Sequence, residues 1–358
     1  MADAQPLDAL RSAPPARKQK LAATATVAAP APAPATVAAK AKAVPKGTLF
    51  GGTRLVGTFF GSSTTTGTNW SCTGSVLDTA ARNVVLTAAH CALGYGNTYV
   101  FVPQFKKGAG PAQQPYGIFP IQRVLIDPRY QPDKPGRTTK KAVSDLDTAF
   151  ARVSANQRGQ KLQDAVGGGL TFTRPTGYTN KNITVVGYPG KSHNPAGKAV
   201  KCTVPTSQLP GFRQMSMTCG GYYGGVSGSP WITDYKDGAG TGHVIGNLGG
   251  YNGGGNDADV DYISYAPAFG ADAANLLAVA VANRPLPTNL PPYQGVQAKL
   301  PGGAGTLQHA NLPASGDCAS GRTGDDLVVR WSDGGTTLYA DTTGRRLGSG
   351  TRLVHPRT

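Results

Sequence analysis

Residues 220–232 read GGYYGGVSGSPWI. Ser227 stands there with Gly225 two places before it and Gly228 directly after. Glycines at these places permit positive φ, and they let the backbone N–H groups of Gly225 and Ser227 turn toward one point. A lone GxSG also occurs in ordinary polar loops, so the surrounding chain has to decide whether Ser227 is a nucleophile. Ser229 is the competing hydroxyl.

A serine that attacks an acyl group needs a base, an acid to orient that base, and donors for the oxyanion. Two upstream segments supply the first two. His90 ends VVLTAAHC (residues 84–91), an apolar run closed by small residues, which brings the imidazole out at a strand end. Asp147 lies in SDLDTAFARV (144–153), where Leu146, Ala149, Phe150 and Val153 mark a buried strand. A carboxylate in such a run is costly unless it accepts hydrogen bonds, and a histidine N–H would serve. Asp145 is the competing acid, expected on the same side of the strand but farther from the core.

TAAHC, DTAF and GVSGSP occur in the order His, Asp, Ser. That set resembles the trypsin-like (chymotrypsin-fold) serine proteases, whose triad order differs from those of subtilisins and α/β-hydrolases. WSCTGSVLD, FVPQFKKGAGPAQQPYGIFPIQRV, VVGYPG and VIGNLGGY are similar to the bacterial branch that includes the glutamyl endopeptidases. The resemblance covers about residues 49–285. It implies an all-β fold of two six-stranded antiparallel barrels, with His90 and Asp147 on the first and Ser227 on the second. It also implies an oxyanion hole at Gly225 and Ser227, a substrate strand at Gly249 and Gly250, and a pocket that includes Gly221, Asn247 and Leu248. Cys72 and Cys91 bracket the histidine strand as the family's disulfide does, and Cys202 with Cys219 is the second expected bridge. Cys318 is left over.

Specificity is not settled by these motifs. The position where a trypsin places its pocket acid is near Gly221, so tryptic cleavage is not expected. Glutamyl enzymes carry a histidine in the VIG segment, whereas Asn247 and Leu248 stand here and His243 lies upstream. Val226 replaces the acid that pairs with a new N-terminus in the animal enzymes, which excludes activation by that ion pair. All 19 acidic residues of the chain are Asp. A protease cutting after Glu would thereby be spared by itself.

Composition fits the same reading. The chain has 358 residues, 49 Gly and 28 Pro, and short apolar runs such as TRLVGTFF, TYVFVP, IQRVLID, NITVVGYP and GHVIGNL, a pattern of short strands and tight turns. Seven of its Lys and Arg fall in the first 46 residues and no basic stripe is interleaved with aromatics, so the net charge of +16 does not suggest nucleic-acid binding. Five cysteines in a chain with two well-separated pairs suggest an oxidising compartment, hence a secreted protein. The N-terminal stretch lacks a secretory signal, so export requires an upstream start or a chain begun after processing. No segment is apolar enough to span a membrane.

Residues 1–48 form an Ala, Pro and Lys-rich leader expected to be disordered, 49–285 the protease domain, 286–315 a Pro-rich linker, and 316–358 a small unit. APAFGADAANLLAVAVANRP (266–285) carries helical spacing and stops at Pro285. Residues 316–341 resemble one FG-GAP (VCBS-type) propeller repeat, although the middle carboxylates of its calcium loop are missing. A solvated turn is therefore expected at Asp317, Asp325 and Asp326. NDADVD (256–261) lacks the glycine and distal acid of a calcium loop, so no metal or other cofactor is expected. The expected partners are protein or peptide substrates, and the expected state is a monomer.

Overall fold

The computed structural model describes residues 5–6, 43–63, 67–93, 98–132, 138–295, 310–316, 325–331, 336–342 and 349–354. Two units are distinguished, residues 1–295 and 296–358.

The first unit begins with β1 (Gln5–Pro6) and β2 (Thr48–Phe50). Six strands then follow: β3 (Val56–Ser62), β4 (Asn69–Val76), β5 (Val84–Thr87), β6 (Thr98–Pro103), β7 (Phe119–Ile126) and β8 (Ala149–Val153). They run in the order β4, β3, β6, β7, β8, β5, and pairing of β4 with β5 closes them into a barrel. Closure removes the exposed sheet edges that would otherwise invite aggregation. Val84, Val85 and Leu86 are all buried, which is why β5 reads as a continuous apolar run rather than an alternating one. β1 adds to the edge of β4 in parallel. Ordered pairing at Gln5–Pro6 is a feature that the composition of the leader does not suggest.

A short helix α1 (Leu162–Val166) and β9 (Thr171–Phe172) lead into the second barrel. Its strands are β10 (Ile183–Gly187), β11 (Ala199–Val204), β12 (Thr206–Gln208), β13 (Gln214–Thr218), β14 (Pro230–Lys236), β15 (Thr241–Asn247) and β16 (Ile263–Pro267). Pro205 separates β11 from β12, because it has no N–H to donate to the ladder. β10, β11, β14 and β15 share one sheet, and β12, β13 and β16 share another. A single bridge between Gly246 and Ala268 joins the two on the far side. Counting the bent β11 and β12 as one strand, this is the expected six-stranded barrel.

The expected C-terminal helix is shorter than its sequence pattern. α2 (Ala271–Ala282) ends on Asn283 in the left-handed conformation (φ 53°), while Ala266 and Pro267 belong to β16. Their pairing with β13 outweighs the local helical spacing. Leu276 and Ala280 of α2 are buried in the core of the first barrel. Arg152 of β8 donates to the carbonyls of Ala280 and Val281, satisfying groups left open at the helix C-terminus. Among the described residues no helix is long and apolar enough to cross a membrane.

The second unit contains a four-stranded antiparallel meander, β17 (Ala310–Gly316), β18 (Asp325–Trp331), β19 (Thr336–Thr342) and β20 (Ser349–Val354). Asp317 and Cys318 lie outside the described residues, as do the side chains of Asp325 and Asp326.

Candidate active site

His90 sits in a 3-10 turn, Ala89–Cys91, directly after β5. The turn is fixed from two sides. Cys91 is bonded to Cys72 of β4, and the Trp70 indole N–H donates to the Cys91 carbonyl at 3.2 Å. Trp70 is itself fully buried, and Gly61 faces it on β3; a Cβ there would lie 2.4 Å from the indole ring. Thus the absence of a side chain at Gly61 leaves the space that the indole occupies while it bonds the turn that carries the histidine.

Asp147 follows another 3-10 turn, Ala142–Leu146, and precedes β8. Its carboxylate is fully buried. Oδ2 is 2.7 Å from His90 Nδ1 and also accepts the Gly250 N–H at 2.8 Å, while Oδ1 accepts the His90 backbone N–H at 2.9 Å. Three N–H partners meet the requirement for burying an acid in an apolar run. They also hold the imidazole at its Nδ1 edge, so Nε2 is the nitrogen left to exchange a proton elsewhere. Asn247 ties the two barrels together beneath the acid: its Nδ2 donates to the Asp147 carbonyl at 2.9 Å and its Oδ1 accepts from Thr148 Oγ1 at 2.7 Å.

Asp145 goes elsewhere. It accepts from Gln214 Nε2 (2.8 Å), the Arg213 N–H (3.1 Å) and the Tyr293 hydroxyl (3.0 Å), away from His90. Burial raises its carboxyl above the ordinary carboxylate range, because desolvation outweighs these hydrogen bonds.

Ser227 is buried in the loop ahead of β14. Its carbonyl accepts the N–H of Thr73, the neighbour of Cys72, so this loop is stitched to the strand disulfide-bonded beside His90. Gly228 adopts φ +86°, and a Cβ there would lie 2.2 Å from the Thr73 carbonyl oxygen and 3.1 Å from the Ala88 nitrogen. Only glycine allows so close an approach to the histidine turn. Gly225 adopts φ +101°. Among the described residues the N–H groups of Gly225 and Ser227 make no hydrogen bond. The Ser229 hydroxyl, by contrast, is used up in the fold, donating to the Val226 carbonyl at 2.6 Å.

A cavity of about 420 Å³ opens beside Ser227 and is lined also by Tyr222, Leu248 and the glycines 253–255. Of the residues expected to bind substrate, Leu248 is in its wall. Asn247 is fully buried and is not part of the lining. The Gly249 N–H donates to the Tyr265 carbonyl, and a Cβ on Gly249 would lie 2.9 Å from Asp147 Oδ2. With the Gly250 N–H donating to Asp147, both glycines support the acid. The stretch 259–264 forms a further wall that the motifs did not indicate. NDADVD was the signal in the sequence, but its acids diverge: Asp257 pairs with Lys140, whereas Asp261 accepts the Gly221 N–H.

Cys72, His90 and Cys91 also come close enough together to suggest a metal cluster. The two sulfurs are bonded to each other and have no thiolate to offer. The second bridge is the expected one, Cys202 with Cys219, leading into the Ser227 loop.

Comparison with known proteins adds the family. None of the curated proteins compared matches the chain. The fold is similar to that of the protease Anisep from Arthrobacter nicotinovorans, at 22% identity and a TM-score of 0.54 over 66% of this chain and 99% of that one. It is also similar to AL20, a thermostable serine protease from an extremophilic microorganism, at 18% identity and a TM-score of 0.53 over 65% and 99%. The sequence model of the trypsin family matches residues 55–269, which span both barrels. The chain therefore belongs to the trypsin family of serine proteases.

Proposed function

We propose that the protein is a secreted endopeptidase in which Ser227 is the nucleophile, His90 the general base and acid, and Asp147 the residue that orients and stabilises the imidazolium. Ser227 Oγ attacks the scissile carbonyl carbon and gives its proton to His90 Nε2. The carbonyl oxygen becomes an oxyanion facing the N–H groups of Gly225 and Ser227. His90 then returns the proton to the leaving amine as the C–N bond breaks, which leaves an acyl ester on Ser227. Water repeats the sequence in reverse and frees the acid.

The observation that carries this reading is the buried pair of Asp147 and His90, joined at 2.7 Å through Nδ1 and flanked by two further N–H donors on the acid. A structural histidine has no need of so exact a carboxylate cradle at one ring nitrogen. The two disulfides support export to an oxidising compartment. Residues 49–285 would be the catalytic domain, 1–48 a leader or propeptide, 286–315 a linker and 316–358 a repeat of the FG-GAP type.

A fluorophosphonate probe tests the assignment. It should label the chain, and Ser227→Ala should abolish labelling whereas Ser229→Ala should not. Peptide and ester substrates assayed side by side separate an endopeptidase from an esterase on the same triad. An unlabelled chain that still captures peptides would make the fold a binding module and refute the proposal.

A further inference from the structure

Asp147 is held from a direction that none of the catalytic motifs reveals. Gln214, the first residue of β13, is fully buried, and its amide faces the turn that carries the acid. Nε2 donates to Ser144 Oγ at 2.9 Å and to Asp145 Oδ1 at 2.8 Å, both on the 3-10 turn Ala142–Leu146 that leads into Asp147. The Ser144 carbonyl in turn accepts the Asp147 N–H at 3.1 Å. Gln214 requires only an accepting oxygen at residue 145, which a neutral carboxyl or an amide supplies as well as a carboxylate.

The other end of the same amide reaches the segment after β15. Gln214 Oε1 accepts the Tyr251 N–H at 2.8 Å, and the preceding N–H, that of Gly250, is the one donated to Asp147 Oδ2. Gly250 adopts φ +95°, and a Cβ there would lie 2.3 Å from Gln214 Oε1, so the backbone meets the amide at a distance that leaves no room for a side chain. One buried amide thus spans both stretches of chain that hold the acid, the turn that carries it and the segment that donates to it. Both N–H groups and the oxygen of the amide are bonded, so neither stretch can shift without leaving a buried polar group unpaired.

We propose that Gln214 is a positioning residue for Asp147, fixing the carboxylate against His90 across the junction of the two barrels. This role rests on the triad reading given above and adds a group that touches neither the substrate nor the imidazole. The contact of Asp147 with His90 depends on geometry, and a displacement of about 1 Å can lower a rate by about a hundredfold. The fold has further ties at the same junction. Tyr251 bridges to Thr139, and the Asn252 N–H donates to the Thr139 carbonyl.

The test uses the full chain and Gln214→Met, which keeps the length of the side chain and removes both N–H donors and the oxygen. Circular dichroism melts give the folded fraction. Per folded molecule, kcat on a peptide substrate should fall between about tenfold and about a hundredfold, with KM within about twofold. Fluorophosphonate labelling should slow in proportion, and the downfield proton resonance of the His90 Nδ1–H should move upfield. A residue that only completes the fold would lower Tm and leave all three values unchanged. Should Gln214→Met not fold, the unaltered chain gives an independent reading. Titrated through the protonation of His90, the resonances of the Gln214 side-chain N–H groups and of the Tyr251 N–H should shift with the midpoint of the imidazole. Unchanged kcat in folded Gln214→Met, or amide resonances indifferent to that midpoint, overturns the role of Gln214 while labelling keeps Ser227 as nucleophile. An unaltered chain that is neither labelled nor active overturns the triad reading itself.

Discussion

Replacing Asp147 by Asn isolates what the buried carboxylate contributes. Oδ2 accepts from two N–H groups and Oδ1 from a third, at 2.7 to 2.9 Å. An amide has one oxygen and one NH2, so no placement of Asn satisfies all three. With nitrogen at the Oδ1 place, the His90 backbone N–H meets a donor and the imidazolium loses its counter-charge. With nitrogen at the Oδ2 place, the Gly250 N–H is orphaned and His90 must accept at Nδ1, which puts its proton on Nε2, the wrong nitrogen for a base. Either way one buried N–H loses its partner, at a cost of about 1–3 kcal/mol in stability. For a domain of this size that lowers Tm by roughly 2–10 °C. The catalytic loss is larger. Wrong tautomer or lost charge should lower kcat about 10⁴-fold, equivalent to about 5 kcal/mol of transition-state stabilisation, with KM nearly unchanged. Initial rates on a peptide substrate and a thermal melt of the same preparation separate the two effects. A folded variant whose kcat falls less than about tenfold would refute the triad assignment of Asp147.

Asp145→Asn should keep kcat within a few-fold, since Asp145 faces Gln214 and Tyr293 rather than His90. Its raised pKa means that the folded chain holds this proton more tightly than the unfolded chain. The resulting stability is complete below the ordinary carboxylate pKa and is lost as pH rises through the raised value. The Tm of the native chain relative to Asp145→Asn should therefore fall with rising pH across that window, and a difference that grows would contradict the burial argument. Gly228→Ala would drive a Cβ into the Thr73 carbonyl at 2.2 Å, so denaturation curves should show a loss of more than about 2 kcal/mol together with lost fluorophosphonate labelling. The paired change Cys202→Ser with Cys219→Ser opens a link across 17 residues and should cost about 3 kcal/mol, read as a Tm lower by roughly 10 °C and no longer sensitive to reductant at that bridge.

Local chemistry fixed much of this molecule before any fold was known. Runs such as VVLT and ITVVG can satisfy their backbone and bury their side chains only as interior strands, and both do. The order of His90, Asp147 and Ser227, and the glycines around Ser227, were likewise legible in the sequence. Pairings between distant segments are a different matter. Whether Ala266 and Pro267 end a strand or begin a helix depends on β13, which lies about fifty residues earlier, and local spacing carries no trace of it. The pattern places Asp147 nearer the apolar run and leaves Asp145 as its competitor, and it is the arrival of Gln214 and Tyr293 at one and of His90 and Gly250 at the other that gives the two carboxylates their different surroundings. Asp261 read as part of a weak calcium pattern until the fold set it against Gly221 in the wall of a cavity shared with Ser227. A carboxylate's role is set by the groups that surround it in three dimensions, and those come from parts of the chain its own neighbours cannot specify.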